Sequence, residues 1–214
     1  YYQRFISKFK DSDWTQKAFL ELVDCCYNLN KFKLAERTAE RFFSAYRGAA
    51  FEDQIHHILG WVYYKEGSLQ KAIKEFEWVA QNSKDVDLKI NSLCRVGDIL
   101  SEEGRIDEAM EQYNVVLKEY PDSLYAEYAQ TQLGIYLLGK KDYEAAILAL
   151  RTVLENFPQS FLLDKVHFNL ALAYFEKRDF KQALDEIDTL LASFASSSLR
   201  EKALLQKAVL LYNL

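Results

Sequence analysis

The chain has 214 residues, half of them hydrophobic and 28% charged, so an apolar face and a solvated face can run along its whole length and a disordered tail is excluded. A net charge of −5, with no Lys/Arg run longer than two residues, leaves no electrostatic footprint for a phosphate backbone and argues against nucleic acid as a partner. Only two prolines and seven glycines leave long stretches free to be helical, while apolar runs such as Ile135 to Leu138 fall far short of the roughly 18 to 20 residues that span a bilayer.

Apolar residues recur at the helical period, as in Leu133, Tyr136 and Leu137 and then Tyr143, Ala146, Ile147, Leu150 and Leu154. In chain order the pattern predicts helices over 1–9, 14–29, 32–46, 51–66, 69–82, 87–103, 106–119, 124–139, 143–156, 161–177, 180–193 and 199–214. They alternate between two types, here termed B (the first, third and so on) and A (the second, fourth and so on). Ala35, Ala72, Ala109, Ala146 and Ala183 mark one phase of the B helices at an interval of 37 residues. Val23, Gly60, Gly97, Gly134, Ala171 and Ala208 mark a phase of the A helices at the same interval of 37. Two ladders of small residues at one period define a repeat array of about six units. Small residues are wanted where helix A lies close against helix B, so Gly60, Gly97, Gly134 and Ala171 are expected to face Ala72, Ala109, Ala146 and Ala183.

The A-to-B turns carry Asn30, Gly67, Gly104, Lys141 and Arg178 where a left-handed helix stop is expected. The B-to-A connections read Tyr120-Pro121-Asp122-Ser123 and Phe157-Pro158-Gln159-Ser160, with Lys10-Asp11-Ser12 as a version without proline. Ser123 and Ser160 are candidate helix N-caps, and Ser198 with Glu201 has the spacing of a capping box. Cys25, Cys26 and Cys94, an odd number with two adjacent, make a poor disulfide framework and are read as reduced thiols of the core or groove. No charged segment followed by a hydrophobic one opens the chain, which starts inside an amphipathic pattern at Tyr1-Tyr2. The first B helix lacks its A partner and the last A helix lacks its B partner. The expectation is therefore a single array over 1–214, broken mid-repeat at both ends and part of a longer protein.

These units resemble tetratricopeptide repeats. The family pattern of Trp-x2-Leu-Gly-x2-Tyr, then Ala-x3-Phe, then Pro is matched by Leu59-Gly60-x2-Tyr63 with Ala72-x3-Phe76. It recurs as Val96-Gly97 with Ala109-x3-Tyr113 and Pro121, as Leu133-Gly134 with Ala146 and Pro158, and more weakly as Leu170-Ala171-x2-Tyr174 with Ala183. Phe19, His56, Leu93, Gln130 and His167 replace the motif tryptophan. The period of 37 exceeds the family's 34 by nearly one helical turn, which predicts that helix A starts one turn early. The longer unit, with Tyr-Pro-Asp-Ser-x-Tyr-Ala at 120–126, is similar to repeats of bacterial envelope proteins, notably the outer-membrane assembly lipoprotein and the periplasmic partner of the Tol-Pal system.

The resemblance implies a right-handed α-solenoid of antiparallel helix pairs whose concave surface is lined by the A helices. One inner row is then Tyr27, Tyr64, Ser101, Leu138, Phe175 and Tyr212; the next is Asp24, Trp61, Asp98, Ile135, Leu172 and Val209; a third is Leu20, His57, Cys94, Thr131, Phe168 and Leu205. Tyr27, Trp61, Tyr64, Ile135, Leu138, Phe168 and Phe175 are the candidate partner-binding residues, in a groove suited to an apolar peptide or helix. The same aromatics also fit the alternative of packing against a neighbouring repeat. Leu20, His57 and Cys94 stand where some family members place the basic groups that clamp acidic C-terminal tails, so that clamp lacks its donors.

His57, Cys94 and Asp98 are metal-compatible residue types, but no paired ligand motif accompanies them, and no metal or cofactor is expected. His56 and His167, at the motif-tryptophan position, are read as hydrogen-bonded space-fillers. With no phosphate loop or nucleophile motif, the expectation is a non-catalytic scaffold that binds a protein or peptide in bacterial envelope assembly, located in the periplasm or envelope. The alternatives are a self-assembling, homo-oligomeric array and the regulatory or substrate-recruiting domain of a larger enzyme.

Overall fold

The computed structural model describes residues 1–9, 12–46 and 48–214, so Lys10 and Asp11 of the first connection lie outside the described residues. Among the described residues there are twelve helices and no strand. The B type comprises α1 (Tyr2–Lys8), α3 (Phe32–Ala45), α5 (Leu69–Asn82), α7 (Ile106–Glu119), α9 (Tyr143–Asn156) and α11 (Phe180–Ser193). The A type comprises α2 (Asp13–Asn28), α4 (Glu52–Lys65), α6 (Val86–Glu102), α8 (Ala126–Gly139), α10 (Leu163–Glu176) and α12 (Arg200–Asn213). The protein is thus an all-α solenoid of helix pairs. It forms two compact units, Tyr1–Gln112 and Tyr113–Leu214, with the boundary inside α7.

The left-handed stops occur at all five expected turns, with φ of 54° at Asn30, 74° at Gly67, 76° at Gly104, 64° at Lys141 and 62° at Arg178. Each lets the next N–H reach back five residues to a helix carbonyl: Lys31 to Cys26, Ser68 to Tyr63, Arg105 to Leu100, Asp142 to Leu137 and Asp179 to Tyr174. Carbonyls that would otherwise end the A helices unpaired are satisfied in this way.

Within the first unit α4 packs on α5 and α5 on α6, around Phe42, Ile55, Phe76 and Ile90, none more than 1% exposed. In the second unit α8 packs on α9, α9 on α10, α10 on α11 and α11 on α12, over a core that includes Leu150, Leu170, Ile187, Leu190 and Leu210. The seam differs in one detail from the expected pairing of small residues. A Cβ placed on Gly60 would lie 2.7 Å from the Phe76 ring, and one on Gly134 would lie 2.6 Å from Leu150 Cγ. The glycines therefore receive the large side chain one helical turn beyond Ala72 and Ala146, while the alanines, fully buried, let the backbones approach.

The three residues beyond the usual repeat length are used in two ways. In α6 they lengthen the helix to 17 residues, capped by the Asp85 carboxylate accepting from Leu88 N–H at 3.1 Å. Before α8, α10 and α12, which keep 14 residues each, they form a turn instead. There the N–H groups of Ser123, Ser160 and Ser197 donate to the carbonyls of Tyr120, Phe157 and Phe194. Pro121 and Pro158, which have no N–H and cannot join the helix as interior residues, favour that turn in two of the three connections.

The serines accordingly do not cap as expected: the residues flanking the helix starts are Tyr125, Leu162 and Leu199, and none of these caps with its side chain. Ser160 Oγ accepts from Leu162 N–H at 3.0 Å, and Ser197, rather than Ser198, does the same for Leu199 at 3.0 Å. Ser197 Oγ also donates to Asp164 at 2.5 Å, as Ser83 Oγ donates to Asp53 at 2.7 Å.

Gly134→Leu is expected to lower stability by at least ~1–3 kcal/mol through overpacking against the buried Leu150, read as a lower midpoint in urea unfolding. Lys141→Gly, which relieves a left-handed side-chain residue, is expected to raise stability by up to about 1 kcal/mol in the same assay.

Candidate functional site

The A-B seam consumes one face of each A helix, burying Leu59, Gly60 and Tyr63 on α4. The face left over carries His57, Trp61 and Tyr64, spaced i, i+4 and i+7, each half-buried. On α6 the matching stripe is Asn91, Arg95, Asp98 and Glu102. The two stripes meet through polar contacts: His57 Nε2 lies 3.0 Å from Asn91 Oδ1, and the Tyr64 hydroxyl donates to Glu102 Oε1 at 2.7 Å. The Arg95 guanidinium sits 5.7 Å from the Trp61 ring centroid and pairs with Asp98 at 2.8 Å. Trp61 meets Tyr64, Phe76 and His57 edge-on at 5.9, 5.6 and 6.3 Å.

This first-unit surface is therefore an aromatic centre inside a hydrogen-bonded polar frame, more polar than the apolar groove expected from the row assignments. Burial pushes the Cys94 thiol up to about 12, so it stays protonated and unreactive near neutral pH. Burial lowers His57 below its ordinary 6.5, an effect that the Asn91 hydrogen bond opposes and the nearby Arg95 charge reinforces. His57 faces Asn91, Cys94 is fully buried, and Asp98 is held by Arg95; among the described residues no three His, Cys, Asp or Glu side chains are grouped to hold a metal ion.

The second unit differs. Its inner rows on α8 and α10 hold Thr131, Ile135 and Leu138, then Phe168, Leu172 and Phe175, with no charged residue among them. Leu138, Phe168 and Phe175 each pack against the buried cluster, and the Phe175 ring lies 5.6 Å from Phe180. These side chains thus serve the core and the surface at once. Ile135 and, in the first unit, Tyr27 are half-buried. The same rows are most open on α12, where Leu205 is 70% and Tyr212 92% exposed.

One element that the sequence reading only partly anticipated is a polar pair across the seam. His56 Nδ1 and Glu75 Oε2 are 2.6 Å apart, and His167 Nδ1 and Glu186 Oε2 are also 2.6 Å apart. The His56 ring is stacked between Phe43 and Trp78 at 4.2 and 3.8 Å. At the corresponding position of one of the two repeats between them, Gln130 Nε2 donates to the Ala149 carbonyl at 3.1 Å. The signal available in the sequence was that each histidine has a glutamate 19 residues downstream. Glu186→Ala is expected to cost ~1–3 kcal/mol by stripping the half-buried His167 ring of its partner, with a smaller loss for Glu186→Gln, both read by thermal unfolding.

The repeat geometry, the left-handed stops and the glycine seam define a tetratricopeptide repeat protein. Within that class the chain belongs to the YfiO family, described as outer membrane lipoprotein, whose profile matches residues 1–137 and, a second time, 132–212. No curated protein matches the sequence. Among solved structures, a tetratricopeptide repeat protein from Parabacteroides merdae superimposes with a TM-score of 0.75 at 15% identity, over 92% of this chain and 73% of that one. YrrB, described as a tetratricopeptide repeat protein with an unusual peptide-binding site, matches with a TM-score of 0.68 at 15% identity over 97% of both chains. MamA from Desulfovibrio magneticus RS-1 matches with a TM-score of 0.68 at 18% identity, over 87% of this chain and 98% of that one. At such identities the likeness concerns the fold. Among the described residues no helix is long and apolar enough to cross a membrane.

Proposed function

We propose that this protein is a non-catalytic interaction scaffold of the bacterial cell envelope that holds a partner peptide or helix on the inner faces of its A helices. The observation that carries the reading is the set of half-buried apolar side chains in the second unit, Ile135 and Leu138 on α8 and Phe168 and Phe175 on α10. Half-buried aromatics and aliphatics anchored from behind by a packed core offer contact area with little side-chain entropy left to lose. In the first unit Tyr27, Trp61 and Tyr64 supply the aromatic contacts, and the polar frame around Trp61 supplies hydrogen-bonding groups at its edge. The envelope location is supported by the family's description as an outer membrane lipoprotein, and a peptide as the ligand by the likeness in fold to YrrB.

The test is cross-linked capture from a bacterial lysate with the wild-type chain and with a Trp61→Ala/Tyr64→Ala variant. The partner recovered by the wild type should bind the variant about 30-fold or more weakly, as for loss of a hot-spot pair worth about 2 kcal/mol or more, while helicity and cooperative unfolding are retained. Equal capture by both removes these residues from the surface, and loss of folding makes them core. Recovery of the protein alone, with a mass that rises with concentration in light scattering, favours self-assembly instead.

A further inference from the structure

We propose that His57 makes the contact between α4 and α6 a pH-sensitive joint: on acidification its ring takes up a proton, the contact loosens, and the surface around Trp61 changes. The joint rests on geometry. His57 projects from α4 and is 3.0 Å from Asn91 Oδ1 on α6, in the neighbouring repeat. Its ring is edge-on to Phe76 of α5 at 5.4 Å and to Trp61 of its own helix at 6.3 Å. The elements touching the ring thus offer it two aromatic rings and one neutral amide. The charge acting on it is the Arg95 guanidinium of α6, which also lies over Trp61 and has Asp98 as its ion-pair partner.

A neutral ring satisfies this environment with one hydrogen bond to the amide. A protonated ring brings a second N–H and a full positive charge into a site already shared with a guanidinium, and half-buried charge without a counter-ion is costly. The two other histidines of the chain have the opposite surroundings, each with a glutamate oxygen at 2.6 Å. Among the described residues, position 57 is therefore the one of the three where no carboxylate lies within contact distance of the ring.

The sign follows from the direction of the shift. Folding holds His57 below 6.5, so between 6.5 and the folded midpoint the unfolded chain binds the proton more readily. Stability of the first unit then falls as pH drops through this window and levels off below the folded midpoint. The consequence for ligand capture rests on the reading that Trp61 belongs to the partner surface; the joint itself does not.

The experiment is an NMR titration of the 214-residue chain that follows the imidazole signals of its three histidines and the indole N–H signals of its three tryptophans. His57, assigned by its loss in His57→Gln, is expected to titrate below 6.5, and the Trp61 indole to shift with the same midpoint. His57→Gln, which keeps an amide facing Asn91, is expected to remove that Trp61 transition and to flatten the stability loss on acidification. A His57 midpoint at or above 6.5, or a Trp61 signal that moves identically in the variant, overturns the joint. In a second arm, partner capture by the wild type should fall several-fold between about pH 7.5 and a pH below the His57 midpoint found in the titration, and remain level in His57→Gln. A titrating joint with pH-independent capture in both proteins upholds the joint and counts against Trp61 as a partner contact.

Discussion

The structure depends on the close approach of helices A and B within each repeat. Where Gly60 and Gly134 stand, the facing helix inserts Phe76 or Leu150 so closely that even one added carbon would fall 2.6–2.7 Å from the inserted side chain. A fixed knob in a fixed notch sets both the spacing and the rotation of the two helices. Once the rotation is fixed, the residues at i, i+4 and i+7 on the remaining face of helix A have no choice of direction. The inner rows are thus a by-product of the seam, and side chains such as Trp61 are held there by rings of the same seam, with Phe76 at 5.6 Å.

That shared support explains how one scaffold offers two chemically different surfaces. In the first unit the helix-to-helix contact between neighbouring repeats is made by polar groups, among them His57 with Asn91 and Tyr64 with Glu102. In the second, Leu138, Phe168 and Phe175 pack against the buried cluster, beside polar pairs between neighbouring repeats that join Tyr143 to Glu176 and Ser197 to Asp164. Polar contacts must be satisfied individually to avoid a desolvation cost, so they fix geometry residue by residue; apolar packing is less directional and tolerates a partner of varied shape. The first arrangement is also the one that protonation can alter.

The motif-tryptophan position shows how a repeat family changes chemistry without changing fold. A tryptophan there would fill space with apolar surface. Histidine at 56 and 167 fills the same place, stacked or tilted on neighbouring aromatics, but carries a polar edge that has to be paired. The glutamate on helix B supplies that pair, and at Gln130 a backbone carbonyl serves in its stead. The substitution and its compensation lie on different helices, which couples the choice of residue at two points of the repeat.

By itself the sequence determined the helices, the period and the stops. Twelve helices begin and end within two residues of the positions read from apolar spacing, and Asn30, Gly67, Gly104, Lys141 and Arg178 adopt the left-handed conformation their place in the pattern required. These features are local, set by one face of a helix or by a single backbone torsion, and a repeat states each of them several times over. Only the tertiary structure decided what depends on contacts between helices. It showed that the glycines receive Phe76 and Leu150 rather than alanine, and that the extra residues extend α6 yet form a turn before α8, α10 and α12. It also showed that Trp61 lies beneath Arg95 in a polar frame. Row assignments specify which residues share a face, but the partners come from another helix, 19 residues away for His56 and Glu75 across the seam and 34 for His57 and Asn91 between repeats. Their identity is set by packing, which no periodicity within one helix encodes.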